Sequence, residues 1–215
     1  MVGRFSGVML AAVLLSISVL GQNKIETIGA LGDTDGSDAL KKVLEPKGSR
    51  IAIGDELYCE IWLRAGIPAG KTDAQGALYT SIGESTLVGV IRFAKATTDF
   101  RGQAVKPGVY TLRYAVHPAD GNHLGISPIR DFLAMVPVAM DQNPDAQPKF
   151  EELMKMSAKV AGTNHPGVIS LVQAEGSAAP KVNQEGTHLI FSSKAKTQSG
   201  GELPVAFIVK GIAEQ

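Results

Sequence analysis

The stretch VYTLRYAVH (109–117) decides the fold, because its nine residues alternate without a break. A strand turns successive side chains to opposite faces, so Tyr110, Leu112, Tyr114 and Val116 share one face. Thr111, Arg113, Ala115 and His117 share the other, more polar one. The same two-residue rhythm recurs on both sides. Segments rich in Val, Ile, Tyr and Phe predict strands near 50–53, 56–64, 77–82, 86–93, 131–137, 167–173, 187–194 and 203–211, separated by turn sequences such as IPAG, KPG and ADG. Crossover helices are absent from most of these connections, which excludes a mainly parallel sheet. The expected fold is all-β, an antiparallel β-sandwich or jelly-roll-like arrangement.

Two helices interrupt the strands. GDTDGSDALKKVLEPKG (32–48) reads as an Asp-rich loop capping a short helix, with Leu40, Val43 and Leu44 on one side and Pro46 stopping it. The second helix is expected over 148–161, where Phe150, Leu153, Met154, Ser157 and Ala158 follow helical spacing. Glu151 and Glu152 stand in its first turn, and Gly162 lies just beyond its end. The preceding VPVAMDQNPDAQP (136–148) is polar and Pro-rich, a long surface loop or hinge. About 65 residues come after it, too few and too strand-poor for a second domain, so residues 22–215 are expected to form a single sandwich.

The N-terminus carries one cation, Arg4, then an apolar run from Val8 to Leu20, then small and polar residues around Gly21. That run is shorter than the ~20 residues needed to span a bilayer, so residues 1–21 read as a signal peptide. The mature chain should then be soluble and exported, periplasmic or extracellular, with no membrane span. The 215 residues hold 21 Lys+Arg and 21 Asp+Glu, and neither sign forms a stripe, so no electrostatic footprint for nucleic acid is present. Cys59 is the only cysteine, which excludes an internal disulfide. In ELYCEIWLR (56–64) it shares a face with Leu57, Ile61 and Leu63, as a small buried apolar residue does.

Catalytic signatures are missing. The chain contains no G-x-S-x-G, Walker loop, G-x-G-x-x-G or H-E-x-x-H, and no catalytic or cofactor-binding residue is assigned. DTDGSD (33–38) alternates oxygen donors, yet Gly36 falls at the fourth place and Leu44 at the twelfth, where a calcium loop needs Gly sixth and Glu twelfth; helix capping explains it better. SKAK (193–196) matches S-x-x-K by letters only, at a strand end. Met154 and Met156 point apart on a helix and supply no copper site.

Metal chemistry is concentrated in YAVHPADGNHLG (114–125) and the start of the next strand. His117, Asp120, His123 and Asp131 could converge on a divalent ion, which needs imidazole and carboxylate donors within about 2.0–2.2 Å of one point. Against this stand Arg113 on the same strand face and Arg130, which can pair with either aspartate. A tight turn, with Asp120 bonding local amides and Gly121 accepting positive φ, accounts for the same letters. His165 precedes a proline in a loop, and His188 sits on a strand from which it could complete a site only if the sheet folded towards 117–131.

VKPGVYTLRYAVHPADGNHLGISPIRDFLAMVP (105–137) resembles a segment of uncharacterised exported proteins from environmental bacteria such as acidobacteria, in which P-G-x-Y-x-L-R-Y leads to D-G-x-H-x-G and then R-D-F. Its P-G-x-Y-x-L part is similar to a wider set of bacterial domains of unknown function with β-sandwich character. The resemblance implies export and a sandwich, brings no activity, and makes Asp120, His123, Arg130 and Asp131 the residues to test first. The expected role is a non-catalytic binding or structural module for a small-molecule, glycan or protein partner. Such a module should expose an aromatic or apolar patch, for which Trp62 and Tyr58, on one face with Glu60, are the candidates, although a sandwich core would use them equally well. The alternative is a divalent-metal-binding protein or metal-dependent enzyme using the 117–131 loop.

Overall fold

The computed structural model describes residues 23–118, 129–176 and 179–213. Its strands are β1 (Asn23–Ile28), β2 (Gly48–Ile53), β3 (Glu56–Leu63), β4 (Leu87–Phe93), β5 (Thr97–Thr98), β6 (Ala104–Val105), β7 (Gly108–Val116), β8 (Asp131–Pro137), β9 (Gly167–Ser170), β10 (Lys181–Glu185), β11 (His188–Lys196) and β12 (Glu202–Lys210). Two helices, α1 (Asp38–Val43) and α2 (Phe150–Ser157), and a single 3-10 turn at Val138–Met140 complete the elements.

Seven strands form one sheet in the order β1-β2-β3-β4-β7-β8-β9, and β10-β11-β12 form a second; β5-β6 is a small separate hairpin. Every strand pairing is antiparallel. The fold is an all-β sandwich with two helices, as the alternation requires. Isolated bridges, Leu171 with Phe207 and Ile67 with Thr197, tie the large sheet and its loops to the small one.

The interior between the sheets takes Ile51, Cys59, Ile61 and Leu63, then Ile91 and Phe93, then Tyr110, Leu112, Tyr114 and Val116, from the large sheet. Leu189, Phe191, Ala195, Val205, Phe207 and Val209 of the small sheet meet them. The opposite face of the large sheet is also covered, in two patches. Leu31, Leu40 and Leu44 of the α1 segment pack on Trp62, Leu87 and Val90, while Leu153 of α2 packs on Ala115, Phe132, Ala134 and Val136. The "polar" side of β7 is therefore also buried, and Arg113, on that side, is fully inaccessible.

A buried guanidinium needs partners for all its donors. Arg113 gives Nε and Nη2 to Asp141 at 2.6 and 2.7 Å, and donates to the carbonyls of Ser85, Asn143 and Ala146. Arg64, also buried, donates to Pro144 O and Asp145 Oδ1, while its Nε has no partner among the described residues. Together they pin residues 141–146 to the sheet, so the Pro-rich segment expected as a surface loop or hinge is anchored at its centre.

Three local expectations are corrected. Residues 77–82 are not a strand: Ala77 N–H donates to Ala74 O and Ile82 N–H to Tyr79 O, closing turns. β1 and β10 are strands where the sequence suggests none, because neither has a fully buried side chain to mark its alternation. The second helix is also shorter than 148–161; it ends at Ser157 and continues as turns to Gly162, whose φ of +67° stops it. Ser37 caps α1 by accepting from Leu40 N at 3.1 Å, in keeping with the capping role of DTDGSD.

Candidate functional site

Of the four candidate metal ligands, Asp120 and His123 lie outside the described residues. His117 and Asp131 stand at adjoining ends of β7 and β8, where Val116 pairs with Asp131 and His117 N–H donates to Arg130 O. The His117 ring is buried and stacks on Phe132, with centroids 4.3 Å apart. Asp131 is fully enclosed. Its Oδ2 accepts from Leu78 N at 2.8 Å, and its Oδ1 accepts from Tyr79 N at 2.9 Å and from the Tyr114 hydroxyl at 2.7 Å. Three donors thus already occupy the carboxylate, which ties the 72–82 loop to the sandwich. Arg130 does not pair with Asp131; it donates to the carbonyls of His117 and Gln75, and its other expected partner, Asp120, lies outside the described residues. His188 lies on the small sheet against Phe100, with Nε2 2.9 Å from Ile212 O, and His165 sits in an exposed turn with Thr163. Among the described residues no three His, Cys, Asp or Glu side chains come together as a metal group would.

The aromatic patch is corrected too. Trp62 is buried, and its indole N–H donates to Gly29 O at 2.9 Å; the ring lies so close to Gly48 that a Cβ there would stand 2.5 Å from Nε1. Beside it, Arg50 and Arg92 clamp the buried Glu60, and Arg92 also reaches Asp35. Tyr58 is half-buried and donates to Val209 O, with Lys210 5.7 Å above its ring. Burial pushes its hydroxyl up to about 12. Cys59 is buried and free, and the same desolvation raises its thiol well above the usual range, so it is not a nucleophile.

Among the described residues, a cleft where the two sheets part combines an apolar floor with polar side chains and could receive a ligand. It holds about 250 Å³ and is walled by the start of β2 and the end of β3 on one side and by β11 with the start of β12 on the other. Its floor is apolar, made by Ile61, Leu63, Phe191 and Ala195, with Pro180 alongside. Two serines look into it. Ser49 is flanked by Ile51 on the inward face of β2, and Ser193 lies between Phe191 and Ala195 on the inward face of β11. Each is only 7% exposed, and neither hydroxyl has a hydrogen-bond partner among the described residues. The rim is charged: Lys196 pairs with Glu45 at 3.1 Å and Lys194 with Glu202 at 2.7 Å, while Lys47 stands at the mouth.

The letters alone do not reveal this cleft. SKAK fails as a catalytic motif, yet its Ser193 and Lys196 line this cleft. The signal that could have marked it is a polar residue at an inward position of an otherwise apolar strand, in both β2 and β11. Among the described residues, no helix is long and apolar enough to cross a membrane. No protein-family model, curated protein or solved structure matches the chain.

Proposed function

We propose that the chain is an exported, non-catalytic binding module and that its ligand enters the cleft between β2–β3 and β11. The observation that carries this reading is the pair of serine hydroxyls over an apolar floor, neither of them paired within the described residues. The hydroxyls are not sealed from solvent, so water meets them and the polar head of a ligand can take its place. An apolar body with a few placed polar groups is how small-molecule sites are commonly built. Export is supported by the apolar run from Val8 to Leu20.

Octanol is a suitable neutral probe, since its alkyl body matches the floor and its hydroxyl can meet the serines. Titrated into the isotope-labelled protein, it should shift the amide resonances of Ser49, Ile61, Phe191 and Ser193 in a saturable way, and Ser193→Leu should abolish the shifts by filling the space. Shifts spread over the surface, or unchanged in Ser193→Leu, would remove the cleft from consideration. A divalent-metal protein built on His117, Asp120, His123 and Asp131 is the competing reading. Stoichiometric metal in the purified protein, lost on chelation and absent from His123→Ala, would favour it over the cleft.

A further inference from the structure

We infer that the ligand of this cleft is a small amphipathic anion, a carboxylate on an apolar body. The inference rests on the binding reading above and adds to it the sign of the ligand's charge, which comes from the rim. Five charged side chains line the cleft: Glu45, Lys47, Lys194, Lys196 and Glu202. Four of them are matched in two ion pairs, Lys196 with Glu45 and Lys194 with Glu202. Lys47 has no ion-pair partner among the described residues, so the mouth carries one uncompensated positive charge.

The interior has the same preference. Both glutamates are engaged by lysines, so the polar groups left for a ligand are the Lys47 ammonium and the hydroxyls of Ser49 and Ser193, all able to donate. Lys47 lies in the bend just before β2, exposed at the cleft, and Ser49 lies on β2 with only 7% exposure. An ammonium at the mouth and a hydroxyl deeper in therefore line the same wall, with Ser193 on the facing sheet. A carboxylate accepts from all three. A cation could donate to the serine oxygens but would be repelled by the Lys47 ammonium, and a neutral head would accept from Lys47 more weakly than a carboxylate does.

Size limits the apolar part. A water molecule takes about 30 Å³ of liquid and a methylene roughly as much, so 250 Å³ admits about eight non-hydrogen atoms.

Octanoate, octanol and octylammonium share one alkyl body and differ in the charge of the head, so they test the sign directly. Titrated separately into the labelled protein and monitored at the Ser49, Ile61, Phe191 and Ser193 amides, octanoate should bind about tenfold more tightly than octanol, because hydrogen bonds to a charged acceptor exceed those to a neutral one. Octylammonium should be weakest. Lys47→Gln, with folding confirmed by Trp62 fluorescence, should weaken octanoate about fivefold and leave octanol unchanged. About 0.5 M salt should do the same. Octanol or octylammonium binding at these amides as tightly as octanoate would overturn the anion while leaving the cleft standing, and so would octanoate binding indifferent to Lys47→Gln. Silence of the cleft amides towards all three would overturn both readings.

Discussion

Replacing Asp131 with asparagine separates two accounts of the same residue. The side chain keeps its shape, but one of its two acceptor atoms becomes a donor. In the native site Oδ2 accepts from Leu78 N, and Oδ1 accepts from Tyr79 N and the Tyr114 hydroxyl. With the amide oxygen in the Oδ1 position, the new NH2 faces the Leu78 N–H, so one charge-assisted bond, about 1.5–3 kcal/mol, becomes a donor opposed to a donor. The other two bonds fall from charged to neutral strength and lose about 1 kcal/mol each. Removing a charge from a fully enclosed position returns part of this, which leaves a net loss of about 3 kcal/mol. For a chain of this length that lowers Tm by about 6–12 °C. The assay is thermal unfolding at pH 7 with a chelator present throughout, which silences any metal. A Tm within about 2 °C of the wild type, with a difference appearing only when a divalent ion is supplied, would refute the structural clamp and make Asp131 a ligand.

The geometry sets four further outcomes. Asp141→Ala strands the inaccessible Arg113 guanidinium and should cost about 3–5 kcal/mol in urea unfolding; the paired change Arg113→Met with Asp141→Leu should recover most of it, and failure to recover any would argue against a simple pair. Gly48→Ala drives a methyl into the Trp62 indole, so the single tryptophan should report a loss of about 1–3 kcal/mol and a shifted emission in the folded state, and an unchanged spectrum and stability would contradict that packing. All four tyrosines are held above their ordinary range by burial, Tyr58 and Tyr79 up to about 12. Their neutral forms are favoured by folding, so this contribution is complete below pH 10 and falls as pH rises through about 12, by about 1.4 kcal/mol per unit for each group; a phenolate absorbance midpoint near 10 in the folded protein would contradict it. Cys59 should be silent to a thiol reagent until the chain unfolds, and rapid labelling of the native protein would show that the strand opens locally.

Alternation locates the large sheet because its inward residues are unmistakable, as in Tyr110-Leu112-Tyr114-Val116 of β7 and Cys59-Ile61-Leu63 of β3, on one face of the same sheet. It fails where burial does not obey the pattern. Residues 77–82 look like a strand because Tyr79 and Ile82 are apolar and buried, but they are drawn inward as a loop held by the distant Asp131, a contact that no local rule contains. β1 and β10 lie at sheet edges with little to bury, so their letters resemble loop. Polar neighbours make Arg113 look like a surface charge; its partner Asp141 is 28 residues away and joins it only because the 138–149 connection folds back over the sheet. Of the candidate metal residues that are described, His117 and Asp131 come from neighbouring strand ends but face opposite ways: the His117 ring stacks on Phe132, whereas Asp131 bonds the Tyr114 hydroxyl on the other face, and its alignment with three donors is a tertiary fact.

The cleft shows how a break in the alternation can carry more information than its continuation. Every inward position of β11 from Leu189 to Ala195 is apolar except Ser193, and in β2 Ile51 gives way inward to Ser49. Placed deep in the sandwich, either serine would have to be hydrogen-bonded or replaced by valine or alanine at a gain in stability. They persist where the sheets diverge, against an opening with an apolar floor and a lysine-rich rim. Two explanations are open to direct comparison. If the serines only tolerate a defect in packing, Ser49→Ala with Ser193→Ala should raise stability and leave octanoate binding unchanged. If they serve a ligand, the same change should raise or preserve stability and weaken octanoate binding. The opposed movement of stability and affinity in one variant is what distinguishes a site from a flaw.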